Sequence, residues 1–211
     1  MQLKPKFISL KAENRLHQCS LPIIGLTGGI ATGKSTVSRL LGEKGFYIID
    51  ADQLIKEIYT FEETHHFLND NFPGVILKNE INFKKLRSLA FQDPKIRKTL
   101  EDYLYAYMPK VFTQKVMDCP HSFLLYDVPL LFEKNLAPLV DQKVLVYATR
   151  EIQKSRLIKR DQSSSEEAES ILKAQINIDE KKGLSNFIIE NTKDLDSLEQ
   201  NVDLFIKQIV N

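Results

Sequence analysis

The chain has 211 residues, 43% of them hydrophobic and 27% charged, and carries a net charge of +1. That balance excludes a disordered or fibrous protein and leaves no global field to gather nucleic acid or an anionic membrane, so neither is expected as a partner. The length suits one well-filled α/β body with a mobile subdomain better than two independent domains. No apolar run reaches the roughly 18 residues that a membrane span needs, and residues 1–20 are basic without the apolar centre of a secretion signal. Cys19 and Cys119 show neither disulfide-framework nor metal-ligand spacing, which fits a reducing compartment, and a cytoplasmic protein is expected. Nothing in the sequence distinguishes a monomer from a homo-oligomer.

Residues 1–20 read as an extension, either a short surface helix or a flexible arm. Five short β-branched or aromatic runs then read as buried strands, over 22–26, 46–49, 123–126, 143–147 and 186–189. Helical patterns separate them, which argues for a parallel sheet with helices on both faces, because a parallel connection needs a crossover of a dozen or more residues. The gap between the second and third strands is longer than one crossover requires and predicts a helical insertion near 55–115. One of its helices begins at Pro94 and places Ile96, Leu100, Leu104 and Tyr107 on one stripe. A second insertion is expected over 150–182, with Ser164 and Glu167 at capping-box spacing to start a new helix. The last stretch repeats Leu195, Leu198, Val202, Phe205 and Ile209 at the period of a packing helix.

The first strand runs into Gly28-Gly29-Ile30-Ala31-Thr32-Gly33-Lys34-Ser35-Thr36, a complete G-x-x-x-x-G-K-[ST] phosphate loop, or P-loop. Its glycines permit backbone turns that aim successive N–H groups at phosphate oxygens. Lys34 offers a compact positive charge to the β and γ phosphates of ATP, and the Ser35 hydroxyl can ligate Mg²⁺. Val37, Leu40 and Leu41 continue as a helix whose positive end faces the same phosphates. A glycine turn beside a surface lysine is the plain alternative, and strand before with helix after speaks against it. The loop alone does not separate kinases from GTPases or motor ATPases; the absence of an Asn-Lys-x-Asp signature and the short chain favour a small-molecule kinase.

After the second strand stand Asp50-Ala51-Asp52, where a carboxylate can take the proton of an acceptor hydroxyl or orient it. Asp52 could equally cap a helix over 53–59. The third strand closes on Asp127, a candidate to hold Mg²⁺ through water, or else a structural acid. Val128-Pro129-Leu130-Leu131-Phe132-Glu133 follows, fit to be core or the wall of an acceptor pocket.

Taken together, residues 24–36, Asp50-Ala51-Asp52, residues 127–133, Arg156, Arg160-Asp161, Ala174-Gln175, Lys181 and Ile188-Ile189-Glu190-Asn191 resemble the dephospho-coenzyme A kinase family in order and spacing. The resemblance implies a P-loop NTPase fold with a five-stranded parallel sheet, an acceptor-binding insertion and a small lid near 151–165. It implies transfer of the ATP γ-phosphoryl to the ribose 3′-hydroxyl of dephospho-coenzyme A, with Mg²⁺. In that scheme Gly29, Ala31, Thr32, Gly33, Lys34, Ser35, Thr36, Arg160 and Asn191 bind ATP, with Asn191 near its adenine. Asp52, Lys34 and Arg156 carry the chemistry, Asp52 with Pro129, Leu130, Leu131 and Phe132 meets the acceptor, and Ser35 and Asp127 hold the metal. Read without the resemblance, Arg156 and Arg160 are a solvated pair one helical turn apart.

The sequence departs from the family pattern at Tyr107-Met108-Pro109, where the family carries a histidine before the proline. Two other readings compete: a kinase for another nucleotide or nucleoside, which residues 127–133 argue against, and a nucleotide-binding regulatory module, which Lys34, Ser35, Asp52 and Arg156 argue against.

Overall fold

Each apolar run is long enough for a strand and each amphipathic stretch for a helix, and in chain order they become β1 (Ile23–Gly28), α1 (Lys34–Glu43), β2 (Ile48–Asp50), α2 (Ala51–Ile58) and α3 (Glu62–Asn71). Next come β3 (Ile76–Leu77), β4 (Glu80–Ile81), α4 (Phe83–Gln92), α5 (Pro94–Met117), β5 (Leu124–Asp127) and β6 (Gln142–Tyr147). The chain ends with α6 (Arg150–Asp161), α7 (Ser165–Lys173), α8 (Ile178–Leu184), β7 (Phe187–Glu190) and α9 (Leu195–Ile209). The computed structural model describes residues 1–211, which divide into two units: Met1–Asp50 with Asp118–Asn211, and Ala51–Met117.

In the first unit the five strands form one sheet in the order β2-β5-β1-β6-β7, every pairing parallel. Strand alternation sorts the side chains by face. Ile24, Leu26, Leu125, Val144 and Val146 join Val37, Leu40 and Leu41 of α1 and Leu198, Val202, Phe205 and Ile209 of α9 in one core, while Leu145 and Tyr147 turn the other way to meet Ile178 of α8. Helices therefore lie on both faces, and each fully buried aliphatic side chain contributes about 1.5–3 kcal/mol. The order reverses at β1, with β2 to one side and β6 to the other, and a ligand site belongs at the C-terminal ends of strands beside such a switch point.

Residues 1–20 are neither a continuous helix nor a free arm. Three short 3₁₀ turns cover Pro5–Phe7, Ala12–Asn14 and Leu16–Gln18. Leu3 bridges Val210 and is buried in the main core, and the Phe7 ring meets Phe187 edge-on at 5.2 Å. Arg15, 6% exposed, sets its Nε 2.7 Å from Asp141 Oδ2, while the amides of Ser9, Leu10 and Ile23 donate to the same carboxylate at 2.9 Å each. A buried carboxylate needs such a set of partners, and no local sequence pattern announces it.

The second unit is helical, with a two-residue hairpin, β3 and β4, that the sequence reading did not predict. Its turn residues Lys78 and Asn79 both have positive φ, 50° and 64°. The helix expected from Pro94 starts there and runs 24 residues. It buries Leu100, Leu104, Met108, Val111 and Phe112, while Ile96 and Tyr107 are only half-buried, so the stripe lies one residue round from the expected one at its C-terminal half. Met108, 7% exposed, packs with this stripe at the position before Pro109.

Candidate active site

β1 delivers the loop and α1 receives it. Gly33, at φ 88°, takes a left-handed turn just before Lys34, the first residue of α1. A Cβ there would lie 2.2 Å from Asn191 Nδ2, so glycine is required for torsion and for room. Ala31 also has positive φ, 60°, a conformation uncommon outside glycine and concentrated at functional loops.

Lys34 forms an ion pair with Asp127, whose side chain is 2% exposed against 18% for the lysine. Parallel pairing fixes this meeting, because Asp127 stands level with Leu26 of β1 on one side and Asp50 of β2 on the other. Burial pushes the Asp127 carboxyl up from its ordinary value, and Asp50 adds to that, while Lys34 and a hydrogen bond from Ser38 pull it down. Asp127 is thus held at a strand end with an ammonium, a hydroxyl and a second carboxylate around it. Ser35 is exposed in the first turn of α1, and Thr36 beside it is half-buried.

The segment from α6 to α8 grips the loop from outside. Arg156 directs Nη1 at the carbonyls of Thr32 (3.4 Å) and Ala31 (3.5 Å), and Nη2 at the carbonyl of Asn191 (3.1 Å). It is therefore more than a solvated partner of Arg160, which pairs with the adjacent Asp161 through Nε at 2.7 Å, in the open, with 61% of its side chain exposed. Asn191, 8% exposed, donates from Nδ2 to the Thr32 carbonyl at 2.8 Å, and its own N–H is tied to Tyr147. Its side chain in this structure braces the loop instead of presenting itself to a base.

The run after β5 divides. Leu131 is fully buried and is core, whereas Pro129, Leu130 and Phe132 are half-buried, and the Pro129 carbonyl accepts from Thr27 Oγ1 at 3.0 Å. Glu133 reaches Lys181, a lysine with no exposure, at 2.6 Å, and Lys181 also points Nζ at the Gly28 carbonyl, 3.4 Å away. The expected capping box is present: the Ser164 side chain accepts from the Glu167 N–H, and the Glu167 carboxylate accepts from the Ser164 N–H.

In the second unit Asp52 lies in the first turn of α2, which begins at Ala51, so it is not the cap of a helix over 53–59. A carboxylate there is favoured by the helix dipole. Sequence reasoning missed Gln153 and the Arg15–Asp141 pair. A glutamine on a helix reads as a solvated face, and only its spacing of three residues before Arg156 could have drawn attention to it.

Comparison with known proteins bears on the same residues. Residues 22–197 match the family model for dephospho-CoA kinase (CoaE). The chain is 39% identical over 190 residues to a dephospho-CoA kinase of Wolinella succinogenes, covering 88% of this chain and 94% of that one. It is 35% identical over 192 residues to one of Fusobacterium nucleatum, covering 90% and 100%. Among solved structures, dephospho-CoA kinase from Campylobacter jejuni superposes with a TM-score of 0.68 at 28% identity, covering 88% of this chain and 96% of that one. The protein TT1252 from Thermus thermophilus reaches 0.79 at 28% identity, covering 90% and 99%. With a complete phosphate loop, its lysine on the β5 aspartate, and this agreement along nearly the whole chain, the protein belongs to the dephospho-CoA kinase family of ATP-dependent phosphotransferases.

Proposed function

We propose that the chain binds ATP on the loop from Gly28 to Thr36 and passes the γ-phosphoryl group to the ribose 3′-hydroxyl of dephospho-coenzyme A. The observation that carries this reading is the Lys34–Asp127 pair at the sheet's switch point. Lys34 would leave Asp127 for the β and γ phosphates, and the N-terminal end of α1 would add its dipole. Arg156, already on the loop's carbonyls, and Arg160 would stabilise negative charge on the transferred group. Asp52 would accept the proton of the attacking hydroxyl, with Pro129, Leu130 and Phe132 shaping the acceptor side.

The donor set fits Mg²⁺. Asp127 and Ser35 offer the hard oxygens that this ion prefers and would hold it. The bound ion supplies charge neutralisation between the β and γ phosphates. A cytoplasmic setting belongs to the same proposal and is supported by the two free thiols.

The test is ADP release from Mg-ATP across dephospho-coenzyme A, nucleoside monophosphates and free nucleosides, with Asp52→Asn alongside. Dephospho-coenzyme A should give the strong signal, and Asp52→Asn should lower turnover by at least about 100-fold. A strong signal with a nucleoside monophosphate and none with dephospho-coenzyme A would sink the acceptor; unchanged turnover in Asp52→Asn would remove the base.

A further inference from the structure

Both polar groups of one loop residue are taken by side chains. The Ile30 carbonyl accepts from Gln153 Nε2 at 2.6 Å, and the Ile30 N–H donates to Gln175 Oε1 at 3.0 Å. Gln153 is 4% exposed and sits in α6, with its backbone N–H bonded to Thr149. Gln175 comes from the stretch between α7 and α8. Ile30 and Ala31 also pack against Leu157 of α6 and Ala168 and Leu172 of α7, so apolar contact and hydrogen bonding hold the same part of the loop.

Gly29 marks how close this contact is. Its φ is not in the left-handed region, so the backbone there would accept alanine. Yet a Cβ on Gly29 would stand 2.4 Å from Gln153 Nε2, too close for any real pair of atoms. Gly29, the residue after the motif's first glycine, therefore makes room for a glutamine from another helix.

We propose that Gln153 is a positioning residue for the phosphate loop: with Gln175 it fixes the two peptide groups of Ile30, so that the N–H groups following them stay aimed at the nucleotide's phosphates. The effect is preorganisation. Without the clamp, the Ile30 peptides are free to rotate, and the loop must be ordered again each time a phosphate binds. A partly buried carbonyl stripped of its donor also costs free energy. The inference rests on reading the loop as the ATP site, and its test is read on ATP binding in the absence of acceptor, so a wrong acceptor assignment does not affect the outcome.

Gln153→Met keeps length and volume while removing the amide. Calorimetric titration of the full chain with Mg-ATP should show the Kd rising about tenfold. In steady state the ATP KM should rise with it while the acceptor KM stays within about twofold. Should Gln153→Met not fold, the half-buried Gln175→Met is titrated in the same way, with the same rise expected. Gly29→Ala should weaken ATP binding strongly in the parent chain and less in a Gln153→Ala background, because the shorter side chain vacates the contested space. An ATP Kd unchanged in a variant whose thermal midpoint has dropped would reduce Gln153 to packing and overturn the proposal. So would a Gly29→Ala penalty of the same size with and without Gln153.

Discussion

Around the phosphate loop, backbone carbonyls and N–H groups are taken by buried and half-buried side chains drawn from distant parts of the chain: Gln153, Arg156, Gln175, Lys181 and Asn191. The unit Ala51–Met117 adds a run of aromatic contacts to a largely aliphatic core. Phe67 stacks on Tyr103 at 3.8 Å and 8°, Tyr103 leans on Tyr107 at 5.0 Å, and Tyr59 meets Phe83 edge-on at 5.1 Å. Hydrogen bonds demand an atom at a place, whereas ring contacts tolerate sliding. A loop that must present N–H groups to a phosphate needs the first kind of support.

The largest effect is expected from Lys34→Ala, which removes the loop's ammonium and leaves the buried Asp127 carboxylate without its cation. Turnover should fall about a thousandfold and the thermal midpoint should drop as well, as steady-state kinetics and calorimetry would show. A modest loss would mean that the loop's amides alone carry the phosphates.

Arg15→Met comes next and acts through stability. It strands the Asp141 carboxylate, fully buried, without its cation, at a cost of about 3 kcal/mol read as a drop in the urea midpoint. Little change in the midpoint would show that the three amide donors satisfy Asp141 unaided.

Phe67→Leu probes the other region. The stack with Tyr103 should lose about 1 kcal/mol, seen as faster hydrogen exchange in α3 and α5, while the ATP Kd stays within about twofold. A large change in ATP affinity would erase the distinction between the two regions.

The smallest expected effect comes from Asp127→Asn and appears in its pH dependence. Because burial raises the folded-state pKa of Asp127, the stability it contributes is fully present below its unfolded value near 3.8 and is lost as pH rises through the folded value. The asparagine variant should therefore match the parent near pH 3.5 and melt slightly higher at pH 8, while losing activity. A variant that melts lower at pH 8 would show that Lys34 outweighs burial.

Much of the fold was legible because it is written in local periods. The five strands lie within two residues of their expected bounds, Pro94 opens α5, and Ser164 with Glu167 closes its capping box. The hairpin of β3 and β4 was not, since Lys78-Asn79 lacks the glycine that usually marks a turn with two positive φ values. The loop, Lys34 and Asp127 could be read as motif residues with chemical reasons. Gln153 and Arg15 could not, because their partners, Ile30 and Asp141, lie 123 and 126 residues away and no spacing rule links them. Asn191 was legible as a place beside the loop, but its bond to the Thr32 carbonyl, 159 residues away, was not.

The strap made by residues 3–15 has a consequence for how the chain is born. Its anchors, Asp141 and Val210, leave the ribosome far later than Arg15 and Leu3 do; at 5–20 residues per second the 126 residues between Arg15 and Asp141 take roughly ten seconds. During that interval Leu3, Phe7 and Leu16 wait in water without the surfaces they are shaped to cover. Residues made well before their anchors are therefore placed late, only after Asp141 and Val210 have emerged.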